Sequence, residues 1–207
     1  MGNAAKPITV QVYDADVLDH VQEMSAFGAG GYLLYEDDKI CCSNINDRNK
    51  HTKKAAACLV PILAGTAKDG SEQSGMAHLS RLMNRFPHQF EEIFRHQLNI
   101  FAEKTEPGTR AAVVLAGHVP PLNHQLRSSC LSDYLQRMKM IRDEIERALK
   151  IETTVIAGPT RTPGSHLNVY YHTQKRVAGI LVARPGDVCF TESFLASDAE
   201  KIAESWL

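Results

Sequence analysis

The chain has 207 residues, 43% of them hydrophobic and 23% charged, with a formal net charge of −1. That composition belongs to a folded protein rather than a disordered one, and the length allows one domain with a real core. The balanced charge supplies no general field for nucleic acid or an acidic membrane, and no apolar run reaches the ~18 residues of a membrane span.

The five cysteines are Cys41, Cys42, Cys58, Cys130 and Cys189. Their number is odd, two are adjacent, and no apolar signal segment follows the start Met, so a secreted disulfide scaffold is not expected. The thiols are expected to be reduced and the protein cytoplasmic. Lys6 stands where an N-myristoylation signal beginning at Gly2 needs Ser or Thr.

Ile8 to Tyr13 alternates apolar and polar residues and predicts a half-buried strand. Asp14 to Phe27 reads as a short helix capped by Asp14 or Asp16 and broken by Gly28-Ala-Gly-Gly31. Tyr32 to Tyr35 and Ile40 to Cys42 flank an acidic turn and read as a hairpin. Ser43 to Lys54 is polar, and its basic cluster from Arg48 to Lys54 reads as a solvated loop or helix end rather than a binding patch.

Ala55 to Leu63 is nearly all apolar and predicts a strand buried on both faces. Pro61 cannot donate to a ladder, so a bulge or an edge is expected just beyond Cys58. Thr66 to Gly75 reads as a polar turn, after which Met76 to Leu79 returns as a short strand.

Phe86, Phe90, Ile93, Phe94, Leu98 and Phe101 recur at helical steps, as do Leu131, Leu135, Met138, Ile141, Ile145 and Leu149. Ala111 to Ala116 between them is an interior strand, and Thr153 to Ala157 and Leu167 to Tyr171 are strands. Val177 to Ala183 pairs back onto the last of these across the turn at Thr173 to Arg176. Ser197 to Glu200 is a capping box opening a terminal helix that ends near Trp206. The expected class is α+β: a single domain over residues 1–207, a layered, strand-rich core with helices packed outside.

Cofactor signatures are missing: no glycine-rich phosphate loop, no paired-cysteine zinc spacing and no His-Glu-x-x-His, so neither cofactor nor metal is expected. Nucleophilic catalysis remains. Cys58 and His78 lie on consecutive strand-like segments, where an imidazole can give a thiol thiolate character. On spacing alone Cys58 is better explained as a core residue, and His78 is equally well explained as one. Cys41 and Cys42 read as one core and one surface residue. Cys130, taken to begin a helix, is the second-choice nucleophile, with His118 or His124 as base.

From residue 50 onward the order of features resembles the CheD family of glutamine deamidases, whose fold is shared in outline with the catalytic domain of cytotoxic necrotizing factor toxins. Thr52 precedes Cys58 by six residues, and Ser74-Gly-Met-Ala-His78 stands where the family has Gly-Gly-x-Ala-His. A helix, an apolar strand ending in Ala116-Gly-His118, a second helix and a terminal hairpin follow in the family's order. The resemblance implies a catalytic core over residues 51–190, preceded by an N-terminal extension over 1–50. It implies Cys58 as nucleophile, His78 as base and Thr52 as a third site residue. Ala56-Ala57 replaces the family's Gly-Ser before the nucleophile, and the connection from Cys58 to His78 is longer.

The implied reaction is hydrolysis of a glutamine side-chain amide through a Cys58 thioester. Its substrate is a protein presenting an exposed glutamine: a bacterial chemoreceptor, or a host protein if the chain acts as a delivered effector in host cytosol. Thr52 is expected to position the cysteine strand or the oxyanion. Asn84, His118, Ser74 and a backbone carbonyl all remain open as the group orienting His78. The rival readings are a CheD-like binding module without activity, and a related acyl-transfer enzyme, either a transglutaminase or a cysteine peptidase.

Overall fold

The protein is described by a computed structural model over residues 5–13, 33–35, 41–42, 45–55, 58–79, 87–117, 124–158, 167–182 and 192–195. In chain order these form β1 (Thr9–Tyr13), β2 (Leu33–Tyr35), β3 (Cys41–Cys42), β4 (Lys50–Ala55), β5 (Leu59–Thr66) and β6 (Glu72–His78). Then come α1 (Pro87–Lys104), a 3-10 turn (Pro107–Thr109), β7 (Ala111–Gly117), α2 (His124–Leu149), β8 (Thr154–Gly158), β9 (Leu167–His172), β10 (Val177–Val182) and β11 (Glu192–Leu195). The expected helix at 14–27, the glycine break at 28–31 and the terminal helix after Ser197 lie outside the described residues.

The strands make two mixed sheets, ordered β1-β10-β9-β4-β2 and β11-β8-β7-β5-β6-β3. Alternation along each strand sorts its side chains into two layers. From β5 and β7, Val60, Ile62, Ala64, Val113 and Leu115 point at the five-stranded sheet, where Leu167, Val169, Tyr171, Ala178 and Ile180 meet them. From the same strands, Leu59, Leu63, Ala112 and Val114 point the other way, onto Phe94, Leu98 and Phe101 of α1 and Met138, Ile141, Ile145 and Leu149 of α2. The architecture is therefore α+β, as expected: sheet on sheet, with two helices on the outer face of the larger one. Each such fully buried aliphatic or aromatic side chain contributes ~1.5–3 kcal/mol. Ile93 departs from its expected face and is 43% exposed. Among the described residues no helix is long and apolar enough to cross a membrane.

Several expectations are corrected. The hairpin over Tyr32 to Cys42 does not form: β2 pairs in parallel with β4, whereas β3 pairs antiparallel with β6 in the other sheet. From Lys50 on, the basic cluster is not a solvated loop but strand β4, with Lys50, His51 and Thr52 buried, while Arg48 before it is exposed. The turn after β5 is shorter than expected, because β6 already begins at Glu72.

Pro61 creates neither an edge nor a bulge. β5 is flanked by β6 and β7, and the residue numbers of its partners in β6 keep one constant register from Leu59 opposite Leu79 to Thr66 opposite Glu72. Leu59 and Leu79 exchange both backbone bonds, so Pro61, two residues on, turns its nitrogen toward β6. The ladder lapses there and resumes at Ile62. The missing N–H costs one rung and leaves the strand in place.

Candidate active site

The site lies where β4 of one sheet faces β6 of the other. Lys50 and Thr52 are two residues apart on β4, and Ser74 and His78 are four apart on β6, so each pair shares a face. Thr52 is fully buried and His78 is 1% exposed. Thr52 Oγ1 lies 2.6 Å from His78 Nδ1, a short hydrogen bond between the sheets.

Cys58 precedes Leu59, whose amide donates to Leu79 O at 3.0 Å while the Leu79 amide donates back at 2.8 Å. The same register sets Val60 opposite His78. Cys58, two residues before Val60, therefore falls on His78's face as its diagonal neighbour, a relation that spans roughly 7–8 Å between Cα atoms and less between side chains. Cys58 packs against the apolar layer between the sheets and is partly exposed. The three residues singled out in the sequence thus converge on one face, Thr52 and His78 in direct contact and Cys58 beside them. From the other flank, β3 sets Cys41 opposite His78 in register.

The Thr52 hydroxyl engages the imidazole at Nδ1. Ser74 is excluded as the group orienting His78, because its Oγ lies 2.6 Å from Lys50 Nζ and 2.6 Å from Thr173 Oγ1. Asn84 and His118 lie outside the described residues. Cys130 loses its rationale: α2 begins at His124, so Cys130 is in the second turn. The field of a helix N-terminus falls off within the first turn.

Lys50 was missed by sequence reasoning, since a lysine within a basic polar run signals solvent. Its ammonium is fully buried and donates to Arg48 O at 2.7 Å, to Ser74 Oγ at 2.6 Å, and to Asn46 O and Oδ1 at 3.2 Å. Desolvation by burial brings its pKa from 10.5 down to about 7, with Asp47 opposing the shift.

Among the described residues no group of three or more His, Cys, Asp or Glu side chains could hold a metal ion. The site offers a thiol, an imidazole fixed at one nitrogen, and a buried cation held by neutral oxygens. Neither a protein-family model nor a characterised protein sequence matches the chain.

Proposed function

We propose that the protein is a cysteine-dependent protein-glutamine deamidase of the CheD-like kind, with Cys58 as nucleophile, His78 as base and Thr52 orienting the base. The observation that carries this reading is the Thr52–His78 hydrogen bond on the face that holds Cys58. In this reading Nδ1 carries the imidazole proton and donates to Thr52 Oγ1, which keeps the Nε2 lone pair for a thiol.

His78 Nε2 takes the thiol proton of Cys58, and the sulfur attacks the side-chain amide carbon of a protein glutamine. The carbonyl electron pair moves to oxygen, where the Cys58 backbone N–H is the first candidate donor. As the carbonyl re-forms, the C–N bond breaks and the imidazolium gives its proton to the departing ammonia. Water, deprotonated by His78, cleaves the thioester to glutamate and restores the thiol. The substrate is a protein with an exposed glutamine, either a bacterial chemoreceptor in the cytoplasm or a host protein reached by a delivered effector.

The deep burial of His78 favours one second reading, a binding module on the same scaffold that does no chemistry. Alkylation of the native protein with limiting iodoacetamide, followed by mapping of the labelled cysteine, separates the two. The deamidase reading expects Cys58 to react well below the ~8.5 pKa of an ordinary thiol and to lose this in His78→Ala. An inert Cys58 overturns it. Ammonia release with the substrate chain left intact then separates deamidation from peptide cleavage, and release without amine incorporation separates it from transglutamination.

A further inference from the structure

The bonds around Lys50 close into a complete network. A protonated amine has three hydrogens. One reaches Arg48 O, one Ser74 Oγ, and the third is shared by Asn46 O and Asn46 Oδ1 at equal distance. Thr173 donates its one hydroxyl hydrogen to Arg48 O at 2.7 Å, which leaves Ser74 as the donor in the 2.6 Å contact with Thr173 Oγ1, with Arg48 O a more distant acceptor for it at 3.5 Å. Arg48 O then accepts from both Lys50 and Thr173, which uses both its lone pairs. Asn49 Oδ1 accepts from the Thr173 amide at 3.0 Å, and Asn46 and Ser74 exchange backbone bonds.

This network ties three pieces of chain: the segment leading into β4, the middle of β6, and the turn between β9 and β10. Its members also bracket the candidate base. Lys50 is two residues from Thr52 on one strand, and Ser74 is four residues from His78 on the other. Lys50–Ser74 and Thr52–His78 are consequently two polar links between the same pair of strands, on faces otherwise packed with apolar side chains. Apolar layers slide at little cost, because the hydrophobic effect has no direction. Hydrogen bonds of 2.6 Å do not, since each weakens steeply with displacement.

We propose that Lys50 is a positioning residue for His78: its ammonium, gripped by Asn46, Arg48 and Ser74, sets the register of β4 against β6 that lets Thr52 hold Nδ1 of the imidazole. This deepens the proposed function and rests on His78 acting as the base. The placement of the cation is consistent with such a part. Desolvation disfavours the charge and Asp47 offsets this only in part, while the direct partners of the ammonium among the described residues are all neutral oxygens.

The test uses the full chain as wild type, Lys50→Met and Ser74→Ala, each checked for folding by circular dichroism. Nitrogen-15 NMR reads the tautomer of His78, and iodoacetamide reads the thiol of Cys58. Ser74→Ala keeps the lysine and removes only one of its partners, so a change shared by both variants reports the loss of the link between the strands rather than the loss of the amine. The expected result is a single Nδ1–H tautomer in wild type that both variants lose. The midpoint of Cys58 alkylation then moves upward by about one pH unit, about tenfold slower labelling at neutral pH. An unchanged His78 tautomer in either folded variant overturns the proposal, and a wild type protonated at Nε2 overturns it as well. The tautomer is read without Cys58, so failure of this inference is distinguishable from failure of the deamidase reading, which shows as an inert Cys58 in wild type.

Discussion

The two ends of β6 bury polar groups in opposite ways. At its start, Glu72 meets Arg176, a guanidinium only 1% exposed, at 2.7 Å. Arg176 also donates to Lys6 O, Thr109 O and Thr66 Oγ1, so its charge is balanced by a carboxylate and its donors are used on four segments of chain. Toward the far end, the direct partners of Lys50 among the described residues are neutral oxygens, and Thr52 contacts His78. A compensated buried charge fastens structure. The candidate chemistry lies at this second end, where a thiol and an imidazole share a face.

Substitutions at the two ends should separate these roles. His78→Ala should lower the rate of glutamine deamidation by roughly two to four powers of ten while the folded state persists, measured as ammonia released per folded protein. Loss of folding with no loss of specific rate would place His78 with Arg176 as a structural group. Arg176→Ala should destabilise the fold by about 3–5 kcal/mol, because the buried guanidinium's bonds to Glu72, Lys6 O, Thr109 O and Thr66 Oγ1 are lost together. A denaturant midpoint reads it, and the remaining folded fraction should still label at Cys58.

Lys50 sharpens the contrast through pH. Its pKa is about 7 in the folded chain against 10.5 unfolded, so between those values the unfolded chain holds more protons. Stability should therefore rise as pH increases through that window, and the gain should be lost as pH falls back through about 7. Lys50→Met should abolish this rise, as seen in denaturant midpoints taken along the pH scale; equal slopes in both proteins would contradict a buried, desolvated ammonium. The smallest effect is expected for Thr52→Val, which keeps the shape and removes the hydroxyl. It should cost about 1–3 kcal/mol by stranding Nδ1 of His78, and should raise the pH at which Cys58 labels.

Much of the fold could be read along the chain wherever one physical signal dominated. The helical spacing of Phe94, Leu98 and Phe101 and the unbroken apolar run of β7 each admit one arrangement, and both form. β4 was hidden because Lys50-His-Thr-Lys-Lys54 carries no apolar periodicity. Its burial comes from partners distant in sequence, Ser74 and Tyr170 among them, the latter stacked on His51 with centroids 5.7 Å apart. Adjacency in sequence suggested a hairpin of β2 and β3, whereas β2 pairs with β4 and β3 with β6.

For the candidate site, residue type and order alone determined that Cys58, His78 and Thr52 were the ones to watch, since a thiol needs a neighbouring base and the pattern around them resembles a known arrangement. Only the tertiary structure decided that Thr52 meets the imidazole, that Ser74 instead meets Lys50, and that a lysine from a basic run lies within the core. The reason is geometric. A hydrogen bond constrains atoms to a few tenths of an ångström, and which side chains come that close across two sheets depends on how the sheets stack, a relation between distant segments that no local pattern encodes.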